Sequence, residues 1–312
     1  MNQKIKGYAL GAIAAATYGL NPLFALPLYK EGMDADSVLF LRYAAAVPLM
    51  AVMAKSRGRD LKVSGTYLPS LLIMGVMMAV SSLALFQSYN FMDAGIASTL
   101  LFVYPLMVAV IMALFFGERL NLFTSVCILI ALSGIGLLFK ASDGATLSLP
   151  GTMLVMLSSL TYAIYIVGVN RPGLRQVATV KLIFYVLLCG AALFGLKIAM
   201  TPGETLRLPL HWYMWGNIAA LALLPTVVSF LCTTKAIQSI GSTPTAILGA
   251  LEPATAVIIG MSVFGEELTM RDLTGLLLII LSVSFVVGGG RITSYLVRFR
   301  RLFPRINRRR RR

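Results

Sequence analysis

Two stretches of this chain decide its fold: YPLMVAVIMALFFGERL at 104–120 and LEPATAVIIGMSVFGEEL at 251–268. They belong to a longer duplication, in which residues 83–139 align without a gap on 231–287 at a constant offset of 148. Pro105 matches Pro253, Phe116-Gly117-Glu118 matches Phe264-Gly265-Glu266, and Leu120 matches Leu268. The matched segments are apolar spans. A duplicated set of membrane helices is the usual plan of a carrier that opens to each side in turn.

Composition agrees with a lipid-embedded chain. Of 312 residues, 58% are hydrophobic and 12% charged, and the mean hydropathy is +0.84. Soluble domains carry about 25% charged residues. Ten spans of roughly 20 residues would use about two thirds of the chain and leave short loops and a tail.

Ten helices are expected, near 5–29, 36–54, 67–91, 95–116, 121–139, 151–170, 178–199, 213–238, 243–263 and 272–289. They divide into a first five-helix repeat (1–140), a connector (141–150), a second repeat (151–290) and a basic tail (291–312). Five is odd, so the second set must run through the membrane upside down relative to the first. The expected fold is therefore all-α integral membrane, with two inverted-topology five-helix repeats. Thr17-Tyr18 recurs as Thr161-Tyr162, so the first span is expected to be retained rather than cleaved as a signal peptide.

Lys and Arg collect on the cytoplasmic side of membrane proteins. With the N-terminus in the cytoplasm, that side collects Lys4, Lys6, Lys55, Arg57, Arg59, Lys62, Arg119, Arg171, Arg175, Lys181, Lys235 and the tail. The outside keeps Lys30, Lys140, Lys197, Arg207 and Arg271. Both termini are then cytoplasmic, in a bacterial inner membrane. The net charge of +15 sits largely in the tail from Arg291 to Arg312. That pattern fits anionic lipid and topology rather than nucleic acid.

Glu252 is the one acid near the middle of an expected span. An ionised carboxylate there costs about 2.5–3.5 kcal/mol by insertion-type estimates, so it needs a partner, cavity water or a proton. It either lines a central cavity, binding a substrate ammonium, a proton or a gate, or it is a hydrogen-bonded packing residue. Its repeat mate is Tyr104. Lys235, whose mate is Gln87, either snorkels to the interface or lines the same cavity. Arg42 is expected close enough to the outer end of its helix to reach water.

In helix 1, Tyr18 and Asn21 share a face beside Pro22, which cannot donate a helical hydrogen bond. In helix 6, Tyr162 and Tyr165 have the same spacing. A cavity lined by Tyr and Asn suits a small amphipathic molecule; interhelical hydrogen bonding alone is the other reading. Ser81, Ser82 and Ser88 fit either role. Ser98 and the helix glycines are expected to serve packing. Cys127, Cys189 and Cys232 have no metal or redox spacing. No metalloprotease, phosphate-loop or nucleophile-elbow motif occurs, so neither an enzyme nor a cofactor or metal is expected.

The quoted stretches, with GIGLLF at 134–139, resemble the EamA-type family of the drug/metabolite transporter superfamily. The resemblance runs over nearly the whole chain, with a proline followed thirteen residues later by a glutamate in both halves. It implies a secondary transporter with a central cavity formed by helices 1, 3, 4, 6, 8 and 9. It puts Glu252 and Pro253 on a lining helix, and Glu118 and Glu266 at the membrane edge. Family members export amino acids, other metabolites or toxic compounds. The expected activity is alternating-access export of an amino acid or related compound, with multidrug export as the alternative and a non-transporting receptor or assembly subunit as a third. Proton coupling stays open.

Overall fold

A computed structural model describes residues 3–58, 60–92, 94–117, 122–138, 148–203 and 205–264, and beyond them 270, 271, 273–275, 277, 278, 280–282 and 285. Residues 141–147 of the connector, Glu118, Glu266 and the basic tail lie outside the described residues. Among the described residues the secondary structure is helical and contains no strand.

Helix 1 of the sequence reading is two helices, α1 (Gln3–Tyr18) and α2 (Asn21–Lys30). There follow α3 (Ala35–Ser56) and α4 (Leu68–Ser88), then the short pair α5 (Ala94–Leu101) and α6 (Tyr104–Phe116), and α7 (Leu122–Leu138). After the connector come α8 (Leu149–Val169), a one-turn α9 (Pro172–Arg175) and α10 (Thr179–Met200). The next span runs as α11 (Trp212–Leu221), a π-helical stretch Ala222–Val228 and α12 (Ser229–Ile240). A second short pair follows, α13 (Ser242–Leu248) and α14 (Leu251–Phe264), and the described residues between 270 and 285 are helical as well.

Among the described residues six helical segments are long and apolar enough to cross a bilayer: Gln3–Lys30, Ala35–Ser56, Leu68–Ser88, Leu149–Val169, Thr179–Met200 and Trp212–Ile240. Their apolar side chains face outward as well as inward. Val52, Ile73, Met153 and Leu196 on these segments, with Leu114 and Phe115 of α6 and Leu129 of α7, are all exposed. Only an apolar solvent makes such a surface stable. The chain is a multi-pass membrane protein.

The helix contacts come in matched pairs. α4 lies along α8, and α1 along α12; α6 packs on α8, and α14 on α1; α6 meets α13, and α14 meets α5. Each half thus places its first helix against the third span of the other, and α3 lies along α10 across the middle. The pairing extends to single bonds. Ser158 Oγ donates to the Ser81 carbonyl at 2.8 Å and Ser81 Oγ to the Ser158 carbonyl at 3.1 Å. The equivalent hydroxyl, Ser229, donates to the Ala14 carbonyl at 3.0 Å.

The two ends of the bundle differ in charge. At one end Lys181 Nζ donates to the Lys62 carbonyl, Arg175 to the Gln238 carbonyl, and Tyr67 to Gln176. At the other Lys197 pairs with Asp36 at 2.6 Å, Arg207 Nη1 donates to the Gly32 carbonyl and Tyr213 to Glu31 at 2.7 Å. The first end carries an excess of cations. The second mixes them with acids.

Candidate functional site

The site begins with three helix interruptions at one depth. Pro22 offers no N–H to the Tyr18 carbonyl, so α1 stops at Tyr18 and α2 starts afresh at Asn21. The α13–α14 break falls at Gly249-Ala250, and the α5–α6 break falls at Phe102-Val103, one residue from the repeat-equivalent place. Broken helices inside a membrane are tolerated where protein or a cavity satisfies the freed backbone.

Glycines let these breaks meet. A methyl group on Gly19 would lie 2.6 Å from the Glu252 carbonyl oxygen, so a side chain there would hold α1 and α14 apart. A methyl on Gly249 would overlap the Tyr104 hydroxyl. Tyr104, from the first half, therefore reaches into the turn where α13 hands over to α14, and its hydroxyl is hydrogen-bonded with the Glu252 carboxyl. Glu252 is only 6% exposed.

Around this pair stands a tyrosine cluster. Tyr18 and Tyr162, equivalent residues of the two halves, stack with centroids 6.1 Å apart and planes at 8°. Tyr162 meets Tyr104 edge-on at 4.8 Å and stacks on Tyr165 at 6.3 Å. Tyr18, Gly19, Asn21, Pro22, Leu85, Tyr89, Ser98, Leu101 and Glu252 line a small cavity of about 10 Å³, room for roughly one water. Asn21 Nδ2 is buried at this site with no hydrogen-bond partner. Buried polar atoms in this condition are costly. A site that supplies them a ligand or water relieves that cost.

The sequence-derived residues divide accordingly. Tyr18, Asn21 and Glu252 line the cavity, Tyr104 and Tyr162 contact those residues, and Tyr165 stands one ring further out. Gln87 and Lys235 are half-buried and neither lines the cavity. Ser82 bonds Tyr43 at 2.8 Å and Ser88 bonds the Leu85 carbonyl at 2.6 Å, both packing roles. Ser98, expected to serve packing, is on the cavity wall beside Tyr89. No sequence signal singled out Tyr89, which lies where α4 ends.

Arg42 corrects its expectation. It is fully buried rather than in reach of water. Its Nη1 donates to Asn21 Oδ1 at 2.9 Å, Nε to Thr226 Oγ1 at 2.5 Å, and Nη2 to the Pro225 carbonyl at 3.3 Å. The guanidinium also lies over the rings of Phe86 (5.4 Å) and Tyr43 (5.9 Å). α11 and the π-helical stretch cover the outer part of α3, and the sequence of α3 alone gives no sign of that cover. Among the described residues no set of three His, Cys, Asp or Glu is grouped to hold a metal.

Broken helices around a small polar cavity in an apolar bundle are a plan that membrane transporters share. The chain belongs to the EamA-like transporter family, which matches it twice, over residues 5–140 and 149–288. It is 26% identical to an uncharacterized transporter of Archaeoglobus fulgidus, over 86% of this chain and 92% of that protein. It is 25% identical to the uncharacterized transporter YcbK of Bacillus subtilis, over 79% and 81%. Against the threonine/homoserine exporter RhtA of Escherichia coli K12 it is 30% identical, over 66% of each. A crystal structure of a protein 17% identical superposes with a TM-score of 0.75, covering 90% of this chain and 95% of that one, and shares its fold.

Proposed function

We propose that this protein is a secondary transporter that moves an amino acid or closely related metabolite outward across a bacterial plasma membrane. The observation that carries this reading is the chamber itself. A buried carboxyl, Glu252, faces Tyr18, Asn21 and Tyr89 in a cavity closed by helices of both halves. The carboxylate suits an ammonium, the amide and phenol groups suit the substrate's other polar atoms, and the rings enclose its carbon body.

The mechanism is alternating access. Ten crossings form two five-helix halves of opposite orientation, and the matched contacts between α1 and α12 and between α4 and α8 support that plan. The cation-rich end is cytoplasmic, with both termini on that side. Substrate binds at the tyrosine cluster, and each half opens one side in turn. Tyr18, Asn21, Tyr104, Tyr162 and Glu252 form the substrate site, with Tyr165 behind them. Glu252 also carries a proton when the substrate has left. The relative named as a threonine/homoserine exporter supports an amino-acid cargo.

The test is counterflow in proteoliposomes with labelled threonine, homoserine and a panel of other amino acids, set against lipophilic cations, at two pH values. Exchange of amino acids is expected. Exchange of the lipophilic cations alone would establish the multidrug reading instead, and no flux of any solute would remove transport altogether.

A further inference from the structure

Arg42 is a buried cation with no ion-pair partner among the described residues. Its three hydrogen-bond partners, Asn21, Thr226 and the Pro225 carbonyl, are all neutral. A guanidinium carries five N–H donors and accepts nothing, so it dictates the orientation of its neighbours. Asn21 must turn its oxygen toward Arg42, and its Nδ2 is thereby left buried and unpartnered on the chamber wall. Thr226 is held likewise: its hydroxyl donates to the Leu221 carbonyl at 2.7 Å and accepts from Arg42. The π-helical stretch presents the Pro225 carbonyl as the third anchor. The cation is thus fixed, one residue behind the cavity.

The other side of the same cavity holds Glu252. Tyr18 and Tyr89, both lining residues, lie within electrostatic reach of Arg42 and of Glu252 alike. The cavity therefore has a carboxyl in its lining and a buried cation directly behind Asn21. Asn21 Nδ2, buried and unpartnered beside this cation, serves as a donor to an anionic oxygen.

We propose that Arg42, acting through Asn21, makes a carboxylate subsite, so that the cargo is a zwitterion held between this subsite and Glu252. Arg42 is a positioning residue: it aims the Asn21 amide and supplies the positive field. The proposal rests on the transport reading for its biological meaning but not for its test.

The test measures binding of matched pairs to the detergent-purified full chain: threonine against threoninol, alanine against alaninol, phenylalanine against phenylalaninol. Each pair differs in the carboxylate and shares the ammonium. The wild type is expected to prefer the amino acid of at least one pair by about ten-fold or more, the scale of one charge-assisted hydrogen bond. Arg42→Gln should bring that ratio close to one while binding of the amino alcohol holds. Asn21→Asp keeps the Oδ1 acceptor for Arg42, supplies an internal counter-ion and preserves shape; it should abolish the preference even where Arg42→Gln fails to fold. Glu252→Gln should weaken both members of a pair and keep their ratio. The proposal is overturned if the wild type binds no pair member, or binds amino acid and alcohol equally, or if Asn21→Asp leaves the preference intact. Absence of counterflow beside a clear carboxylate preference would sink the transport reading and leave this subsite standing.

Discussion

Single residues account for most of the chemistry. Glu252 stood out in the sequence because a carboxyl in the middle of an apolar run has few explanations, Tyr104 as its repeat mate, and Tyr18 with Asn21 and Tyr162 with Tyr165 as polar groups at helical spacing. Arg42 did not, because its sequence position fixes distance along α3 and says nothing of which helix covers it. Eight positions from the start of a helix that begins at Ala35, a long side chain reaches water unless another element is packed there. Here α11 and the π-helical stretch are. Two substitutions separate the roles of residues at the site. Glu252→Gln preserves volume and the bond to Tyr104 but removes the titrating group. Flux is expected to fall by ten-fold or more and to lose its dependence on pH, read as counterflow across a pH series; an unchanged pH profile would remove Glu252 from proton handling. Gly19→Ala pushes a methyl against the backbone of Glu252, which has no side-chain freedom to yield. A loss of about 1–3 kcal/mol is expected from overpacking of this kind, seen as a lower thermal midpoint in detergent.

At the scale of elements, the long apolar runs were legible from hydropathy, and six of them stand as helices long enough to span. The interruptions were only partly legible. Pro22 announced the α1–α2 break through its missing N–H. The α5–α6 and α13–α14 breaks carry no such signal. Pro105 and Pro253 sit just after the breaks, in the first turn of α6 and α14, where proline is accommodated without cost. Pro225 marked some distortion in its span, yet nothing in the sequence distinguishes a kink from the π-helical stretch that presents its carbonyl to Arg42. If the α1–α2 break shapes the chamber, Pro22→Ala should let the Tyr18 carbonyl regain an N–H partner and straighten the span. The expected result is a thermal midpoint that holds or rises while flux drops several-fold. Full flux in that variant would show the break to be incidental.

At the scale of the molecule, the duplication is written in the sequence as a constant offset and in the fold as matched contacts: α4 on α8 with α1 on α12, and Ser81 on Ser158 with Ser229 on Ala14. Exchange of partners between halves makes the chamber a property of both. Tyr104 of the first half closes on Glu252 of the second, and Tyr18 of the first stacks on Tyr162 of the second. A relative movement of the halves therefore cannot leave the chamber unchanged, which is the physical basis of the alternating access proposed above. A cysteine placed in the chamber wall tests that claim most directly. With Cys127, Cys189 and Cys232 replaced by serine, Tyr89→Cys would be exposed to a membrane-impermeant thiol reagent applied from the outside in one experiment and from the inside in another. The account predicts labelling from both sides, each slowed by transported amino acid. Labelling from one side alone under every condition, or from neither, would contradict it.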